Sequence, residues 1–476
     1  MVERASNGTV LLGALWLALS GCPGPSDSAP DSQAPQWQPA DTVVLLTVDT
    51  LVGRIADGNG QGWEVMPHTQ AMLDQGVSFP HAVAAMGVTG PSLATVTTGT
   101  YPREHGKRAN HNPNLRRPTL AEYFEAAGYT TWSYSANKCE IMEVGSDLHR
   151  CSTTAGLQPN SLADQDAWLI EQLEVDLPTL DPDTPLFIWV HLNQAHTPYV
   201  PVDDYYQQFH PQAYTGEIDA RDTDMLDRIT LEHLPYSAED ALHVEATYAS
   251  ALRQVDGNTQ TFLDLLDVSG RLDDVVLAWG GDHAEELHLH NDYFFHGCSP
   301  YNAVYEVPWG FWAPQRLPAG LEFDTRISLT DVAPTLVELA AAGDPSQLHS
   351  GRSLVSGMLA DDLPSVPVFF ERGYDTVSVI DGDDKLVLAT IDEYATCLPY
   401  DGTGQFFETE LTELYDLAAD PDELSNQAQA DPTLRDALKT TVCGWVTQED
   451  WIENPQQQAT NELVALCEAW VEGQGD

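Results

Sequence analysis

Four side chains from separated parts of the chain could together bind one divalent cation. Asp49 directly follows an apolar run, Thr89 stands just before a predicted helix, and Asp282 and His283 are consecutive. Carboxylate oxygens and imidazole nitrogens are common ligands of divalent cations. A bound cation also makes a hydroxyl easier to ionise and so more nucleophilic. We therefore predict a metal site at Asp49, Thr89, Asp282 and His283, with Thr89 as nucleophile, although each residue alone is equally typical of a turn or cap.

The segment that follows Thr89 has the signals of a helix. Pro91 suits the first helical position and Gly99 suits the position after the last turn. Backbone N–H groups at a helix start are unpaired and the dipole there is positive, so an anion is favoured beside Thr89. The same Thr-x-Pro-Ser pattern is also found in ordinary helix caps.

Three mostly apolar runs predict buried strands that deliver these polar residues. The runs are Thr42–Val48, Pro185–Leu192 and Asp273–Trp279. Helical periodicity lies between them, for example at Leu120–Ala127 and Thr247–Leu266. Because open α/β sheets carry their chemistry at the carboxyl ends of strands, we expect a central, mostly parallel sheet between helices with one active edge.

From about residue 366 the pattern changes to short strands separated by turns. These are Phe369–Phe370, Thr376–Ile380, Lys385–Ile391 and Glu413–Leu417, with helical segments near 431–443 and 460–472. We therefore divide the body into a catalytic domain at 41–365 and a small antiparallel α+β subdomain at 366–476.

The start of the chain has the pattern of an exported protein. Thr9–Leu19 is apolar but has 11 residues, which is shorter than the ~20 needed to span a bilayer and suits a signal peptide. Leu19–Cys22 resembles a bacterial lipobox. We expect a lipoprotein signal peptide at 1–22, lipidation of Cys22 and a Pro/Ser-rich tether at 23–40. The body would then be anchored to the cell envelope, either periplasmic or at the cell surface; plain secretion and a cytosolic chain are the alternatives.

Charge and cysteine content add further limits. With 20 basic and 73 acidic residues the net charge is −53, which excludes bulk electrostatic binding of nucleic acid. Six cysteines remain after Cys22, an even number typical of disulfides in an exported chain. The simplest pairing joins the neighbours in sequence and leaves one distant pair; free buried thiols are the alternative. The pairs would be Cys139–Cys151, Cys443–Cys467 and Cys298–Cys397.

Several motifs, in order along residues 42–430, resemble the sulfatase branch of the alkaline phosphatase superfamily. They are Val44–Leu51, Thr89–Ser92, Thr98–Gly106, His191–Tyr199, Asp282–His296, Ile327–Leu339 and Glu413–Asn426. The resemblance implies an alkaline-phosphatase-like sandwich and metal-dependent ester hydrolysis. It assigns Asp49, Asp282 and His283 to the metal. It assigns catalytic roles to Thr89, His196, Lys107 and His296, and substrate-binding roles to His191, His290 and His105.

The chain departs from the sulfatase pattern at the nucleophile. Thr89 replaces the cysteine or serine that sulfatases oxidise to formylglycine, and Leu93 replaces an arginine. Thr50 replaces a second aspartate, which removes a hard ligand. The resemblance therefore favours phosphate over sulfate esters. One zinc or manganese ion is favoured, with calcium or magnesium as alternatives.

The expected substrate is a small-molecule, glycan or lipid ester of phosphate or sulfate. Two other functions stay open. One is a non-catalytic lipoprotein that binds an anionic glycan, which the negative charge favours slightly. The other is transfer of a phosphate-linked head group onto an envelope acceptor. The sequence leaves the oligomeric state open.

Overall fold

The apolar run at Thr42–Val48 forms β1, a central strand of a mixed sheet. The computed structural model describes residues 37–473 except 59, 111–114, 158–160, 207, 210–213, 233, 291–293, 349, 391–409 and 449–461. The other strands of this sheet are β2 (Val77–Val83), β3 (Thr130–Ser135), β4 (Leu148–Cys151), β5 (Leu186–Leu192), β6 (Val275–Gly281), β7 (Glu306–Trp312), β8 (Leu321–Glu322) and β9 (Ile327–Ser328).

The strand order is β4-β3-β5-β1-β6-β7-β2-β8, and β9 pairs with β2. β1 is parallel to both β5 and β6, and β3 is parallel to β4 and β5. Only β7 runs antiparallel, against β6 and β2, within the part of the sheet that the structure describes. Every residue of β1, β5 and β6 is buried, which explains why these strands are continuously apolar and not alternating.

Helices cover this sheet. They are α1 (Gly53–Ala56), α2 (Pro67–Leu73), α3 (Thr89–Thr98), α4 (Pro102–His105), α5 (Leu120–Ala126), α6 (Cys139–Met142), α7 (Leu162–Asp176), α8 (Asp203–Tyr206), α9 (Thr223–Glu232), α10 (Ala238–Val268), α11 (Asn302–Tyr305), α12 (Val332–Leu339) and α13 (Val355–Ala360). One group, α1, α2, α7 and α8, packs on the long helix α10. In another group, α3 packs with α5 and α12, while α12 contacts β6 and α5 contacts β3.

A second, antiparallel sheet follows. Its strands, in order, are β10 (Val368–Arg372), β11 (Thr376–Asp381), β12 (Asp384–Thr390) and β13 (Glu410–Asp416). The helices α14 (Pro432–Val446) and α15 (Glu462–Gly473) pack together, and α14 lies on β11 and β12 over a separate apolar core. The predicted fold class, a mostly parallel α/β sandwich with a small antiparallel α+β part, is confirmed.

Two of the three predicted disulfides are confirmed. Cys139 is bonded to Cys151 and Cys443 to Cys467. Cys298 is also disulfide-bonded, and Cys397 lies outside the described residues. The predicted signal peptide, Cys22 and the tether as far as residue 36 lie outside them too. In the described chain, no helix combines the length and the apolar character needed to cross a membrane.

The register of the central strands brings their polar exits to one level. Val48 pairs with Leu192 on one side and with Gly281 on the other. Asp49, the residue after β1, continues the ladder, because its N–H donates to the Leu192 carbonyl at 2.9 Å. Likewise, the Asp282 N–H donates to the Val48 carbonyl at 3.2 Å. The strand exits therefore carry their side chains to one edge of the sheet.

Candidate active site and metal centre

The four residues of the predicted metal site lie together at this edge. Ligand atoms of Asp49, Asp282 and His283 all lie within 4.8 Å of one another. The Thr89 Oγ1 is 3.3 Å from His283 Nε2 and 3.4 and 3.5 Å from the two carboxylate oxygens of Asp49. All four side chains are buried. Residues as much as 234 positions apart in sequence thus form one compact cluster.

Thr89 is the first residue of α3, and Val88 precedes the helix in an extended conformation. The predicted start at Pro91 is two residues late. The end is as predicted, because Gly99 follows the last turn with a φ of 64°. The Gly90 N–H at this helix start is already paired, since it donates to Asn110 Oδ1 at 2.8 Å. That N–H is therefore not open to an anion, contrary to the expectation.

His283 presents an electron pair to the two aspartates. Its Nδ1 is 3.0 Å from the Ala284 carbonyl, which can only accept, so the ring proton lies on Nδ1. Nε2 is 3.6 Å from Asp49 Oδ1 and 3.7 Å from Asp282 Oδ2. Burial, assisted by the charge of His296, lowers the pKa of His283 to about 3. The ring is therefore neutral near pH 7, which is the form that binds metals.

Asp282 has one satisfied and one unsatisfied oxygen. Its Oδ1 accepts the backbone N–H groups of Thr50 at 3.2 Å and His283 at 2.7 Å. Its Oδ2 is buried and lacks a hydrogen-bond donor among the described residues. Burial and the neighbouring charge of Asp49 raise the pKa of Asp282 well above its usual range. A divalent cation would satisfy this oxygen and relieve the repulsion, so the residues present fit a metal ion.

His191 supports Asp49 instead of facing open space. Its Nε2 is 3.6 Å from Asp49 Oδ2, and its Nδ1 is 2.9 Å from Thr47 Oγ1. The ring is fully buried. The structure thus places His191 behind Asp49, with both ring nitrogens facing groups of the protein, and its assignment to substrate binding stays a prediction.

Two further histidines stand beside the cluster. The ring of His296 lies 4.4 Å from that of His283 and 5.2 Å from that of His196, measured between centroids. His296 Nδ1 is 3.0 Å from Glu285 Oε1, and Tyr199 donates its hydroxyl to Glu285 Oε2. The Nδ1 of His196 is 2.6 Å from the Thr197 carbonyl, so that nitrogen is the protonated one. Both predicted catalytic histidines thus lie at the site.

Lys107 borders the start of α3. A Cβ on Gly90 would come within 2.9 Å of the Lys107 Cε, so the alkyl chain of the lysine lies against the residue after Thr89. Its Nζ is 3.3 Å from the Asn110 carbonyl and 3.6 Å from Glu140 Oε1. Burial lowers the pKa of Lys107. Lys107 thus lies beside the start of α3, where the sequence order predicted it.

His105 and His290 lie outside the cluster, and their substrate-binding roles stay predictions. His105 Nε2 is 3.2 Å from Thr95 Oγ1, its Nδ1 accepts the Lys107 N–H at 3.1 Å, and the ring is buried. Its ring nitrogens are occupied, so its role is to support the α3–α4 connection.

His290 faces the C-terminal sheet. Its Nδ1 is 3.0 Å from Glu286 Oε2 and its Nε2 is 2.8 Å from the Asp422 carbonyl. Leu287 and His288 before it have φ values of 44° and 65°, and this pair of left-handed residues redirects the chain. Both ring nitrogens are therefore held by protein groups.

Sequence reasoning missed Asn137, Lys138 and Glu285. Asn137 Nδ2 donates to Asp49 Oδ2 at 2.7 Å. Lys138 adds positive charge that acts on both His296 and Lys107. Burial raises the pKa of Glu285 to about 7. The available signals were that Lys138 is one of only four lysines and that Glu285 follows the Asp-His pair by two residues. Asn137 gave no sequence signal.

Known proteins share this architecture and sequence pattern. The family model described as Sulfatase matches residues 41–342. An arylsulfatase of Clostridium perfringens is 22% identical over 370 residues, which span 64% of this chain and 76% of that protein. The multifunctional alkaline phosphatase superfamily protein PehA of Trinickia caryophylli is 23% identical over 443 residues, or 76% of this chain and 85% of that protein.

Solved structures show the same fold. A protein in complex with its substrate D-glucosamine-2-N,6-O-disulfate superposes with a TM-score of 0.68 and 16% identity, covering 88% of this chain and 100% of that one. The phosphonate monoester hydrolase of Agrobacterium radiobacter superposes with a TM-score of 0.63 and 19% identity, covering 86% and 95%. The chain therefore belongs to the sulfatase family, a family of ester hydrolases in the alkaline phosphatase superfamily.

Proposed function

We propose that this protein is a metal-dependent hydrolase of phosphate esters that uses Thr89 as its nucleophile. The observation that carries the proposal is the position of the Thr89 hydroxyl. It lies at the start of α3, within 3.3 to 3.5 Å of both Asp49 and His283, and these two ligands are completed by Asp282. Asp49 can accept the proton of this buried hydroxyl. Asp49 and His283 can also hold a cation beside its oxygen.

One divalent cation would be held by Asp49, Asp282 and His283, with Thr89 beside it. When bound, it supplies Lewis-acid charge that favours the alkoxide of Thr89 and neutralises oxygens of the transferred group. Two carboxylates and one imidazole favour zinc or manganese over calcium, which prefers six to eight oxygen ligands. Residue 50 is a threonine and so offers no carboxylate. It contributes its backbone N–H, which donates to Asp282.

The chain's own residues account for each bond change. The Thr89 hydroxyl directs its proton to Asp49, at 3.4 and 3.5 Å, and its oxygen forms a bond to phosphorus. The bond from phosphorus to the leaving oxygen breaks on the opposite side. Water then attacks the phosphothreonine, which releases phosphate and restores the hydroxyl. In-line displacement of this kind needs the nucleophile held rigidly, which the fully buried α3 provides.

The histidines beside the cluster would handle the leaving group. His296 Nδ1 lies beside Glu285, which Tyr199 holds in turn. Burial raises the pKa of Glu285 to about 7 and lowers that of His296 to about 3, so a protonated Glu285 donates to Nδ1 of a neutral ring whose own proton is on Nε2. Nε2 can then give its proton to the departing oxygen while Nδ1 takes the proton of Glu285. His196 lies 5.2 Å away, ring to ring, and can bind a substrate oxygen. Lys107 and Lys138 add positive charge that favours an anionic group in an otherwise acidic protein.

The preference for phosphate over sulfate esters follows from the threonine. Its β-carbon carries a methyl group, so oxidation cannot give the aldehyde that formylglycine requires. A hydroxyl nucleophile remains, and a phosphothreonine can be resolved by water. The similarity to PehA and to a phosphonate monoester hydrolase supports a phosphorus substrate, whereas the arylsulfatase similarity supports a sulfate ester as the alternative.

We further propose that the protein is exported and lipid-anchored through Cys22 to the bacterial cell envelope. The apolar Thr9–Leu19 run and the following lipobox-like residues support this placement. The substrate would then be a phosphate ester of a small molecule, a glycan or a lipid outside the cytoplasm. No nucleic-acid substrate is proposed, because the net charge of −53 repels a polyanion.

A rate panel tests the function. Wild type and Thr89→Ala would be compared on nitrophenyl phosphate, bis-nitrophenyl phosphate, a nitrophenyl phosphonate ester and nitrophenyl sulfate, each with zinc, manganese, calcium and magnesium. We expect a phosphorus ester to be fastest and Thr89→Ala to abolish its turnover. Thr98→Ala is the matched control, because Thr98 lies on the same helix but bonds to the Ala94 carbonyl.

Unchanged turnover in Thr89→Ala would refute the proposal that Thr89 is the nucleophile. Metal binding without turnover of any ester would favour the non-catalytic binder.

A further inference from the structure

The two carboxylate oxygens of Asp49 have different surroundings. Oδ1 faces the electron pair of His283 Nε2 at 3.6 Å, which is the side of the metal site. Oδ2 accepts a hydrogen bond of 2.7 Å from Asn137 Nδ2 and has His191 Nε2 at 3.6 Å. Thr89 Oγ1 lies 3.5 Å from Oδ1 and 3.4 Å from Oδ2. Both oxygens thus border the proposed metal site, but among the described residues only Oδ2 is held by an amide donor.

Both protons of the Asn137 amide are used in this arrangement. Nδ2 also donates to Asn193 Oδ1 at 2.7 Å, so the group bridges two acceptors. The reverse orientation of the amide would place its oxygen against Asp49 Oδ2 and Asn193 Oδ1, which are both acceptors, so the assignment is determined by the network. The amide oxygen itself is buried without a donor among the described residues, which shows that the amide is oriented by its two donated bonds.

The bridge is fixed from both sides. Lys138, directly after Asn137, has a φ of 49°, and the next residue, Cys139, is tied to Cys151 on β4 by a disulfide. On the other side, Asp166 of α7 accepts the Asn193 N–H at 2.9 Å, which holds the exit of β5. Because each end is anchored to a different element, Asn137 cannot follow Asp49 if that carboxylate rotates.

We propose that Asn137 is a positioning residue that restricts Asp49 to binding the cation through one oxygen, and that it thereby favours small ions over calcium. Calcium uses six to eight oxygens and often takes both oxygens of a carboxylate, whereas zinc and manganese accept fewer ligands. If Oδ2 were released, Asp49 could turn and offer both oxygens. The inference rests on the metal site of the proposed function, but not on its nucleophile or its substrate.

Isothermal titration calorimetry of the metal-free full chain with manganese and with calcium tests this inference without any substrate. For Asn137→Ala we expect the manganese affinity to fall about tenfold, within the range known for groups that orient metal ligands. Calcium affinity should stay the same or rise, so the manganese-to-calcium preference falls by at least about tenfold. Thermal unfolding of both metal-free proteins would verify that the variant is folded.

Asn193→Ala is the matched control, because it removes the second acceptor of Asn137 but keeps the bond to Asp49. Because Asn137 then keeps its bond to Asp49 but loses one of its two anchors, the ion preference should shift by clearly less than in Asn137→Ala. Equal losses for both ions in Asn137→Ala, no change in either, or a shift of the same size in Asn193→Ala would each overturn the inference. A wild-type chain that binds neither ion would overturn the metal requirement of the proposed function as well, whereas inactive Thr98→Ala or active Thr89→Ala would affect only the proposed reaction.

Discussion

Two buried clusters of charge lie in this molecule, and they are balanced in opposite ways. In the candidate metal centre, two carboxylates and a neutral imidazole meet without a cation from the chain. Among the described residues, no lysine or arginine forms an ion pair with Asp49 or Asp282. Next to β12, in contrast, the buried Lys385 contacts Glu423 and donates to the Pro300 carbonyl and to Asn302 Oδ1, both at 2.9 Å.

The difference separates a cluster with a cation of its own chain from the proposed metal site, which has none among the described residues. Lys385 supplies the cation that Glu423 needs, so this pair joins the second sheet to the loop before α11. The buried Glu413 stands nearby, and burial raises its pKa to about 7. The edge of the main sheet lacks such a residue, and the burial of two carboxylates there costs stability that a metal-free protein does not recover. Buried carboxyl groups that no lysine or arginine neutralises are typical of sites that bind a cation.

The largest expected effect comes from removing a carboxylate at the metal centre. Asp282→Asn should lower the rate of ester hydrolysis by at least about 100-fold, because a cation ligand is lost. In chelator, however, the same variant should unfold at a higher urea concentration than wild type, because a neutral amide replaces a buried carboxyl group whose ionised form is disfavoured beside Asp49. Glu239→Gln, at an exposed position, is the control. A less stable metal-free Asp282→Asn would contradict the comparison.

At the second cluster, removal of a charged side chain should lower the stability of the protein instead of raising it. Lys385→Met should destabilise the protein by about 3–5 kcal/mol, because it leaves the buried Glu423 without its cation. Urea unfolding at constant metal concentration measures this. The double variant with Glu423→Gln should recover part of the loss. If Lys385→Met were as stable as wild type, the pair would not be the junction that we describe.

Removal of the metal ion should lower the free energy of unfolding by a smaller amount, and only through the candidate metal centre. An ion present at 100 times its dissociation constant should stabilise the native state by about 2.7 kcal/mol. Thermal unfolding with and without chelator would detect the corresponding loss. Asp282→Asn should show no such shift, whereas Lys385→Met should keep it. A metal-dependent shift of the same size in Asp282→Asn would place the ion elsewhere.

The smallest effect is a pH dependence at the second cluster. Burial raises the pKa of Glu413 to about 7, above that of an exposed glutamate. The unfolded chain therefore releases this proton first, so the stability that Glu413 contributes falls as the pH rises from about 4.5 to 7. Relative to wild type, Glu413→Gln should gain on the order of 1–2 kcal/mol at pH 8 compared with pH 5. Urea unfolding in chelator measures it, with the exposed Glu462→Gln as control.

Much of the fold and the centre of the site could be predicted because they depend on local patterns. Continuous apolar runs identified β1, β5 and β6, since strands covered on both faces have no polar positions. Asp49 and Asp282 followed from these runs, because residues just after parallel strands meet at one edge. The short strands of the second sheet could be predicted as well, because turns separate them. These features need only the neighbours of a residue in sequence.

The roles of the histidines were decided by tertiary structure. His290 and His296 are six positions apart and equivalent in type, yet only His296 reaches the site, because the left-handed pair at Leu287 and His288 redirects the chain between His283 and His290. His105 and His191, which were predicted to bind substrate, have ring nitrogens that face protein groups. Hydrogen-bond partners of this kind depend on packing that no local pattern encodes.

The sequence by itself determined which strands are buried, which polar residues stand at their exits and that the proposed nucleophile position holds a threonine. Only the tertiary structure decided how those residues are supported. Asn137 follows β3, and the order β3-β5-β1 places that exit two strands away from Asp49. Strand order arises from packing over the whole sheet, whereas burial and strand ends arise from short segments. For this reason the residues of the proposed metal site could be predicted, whereas the contact of Asn137 with Asp49 could not.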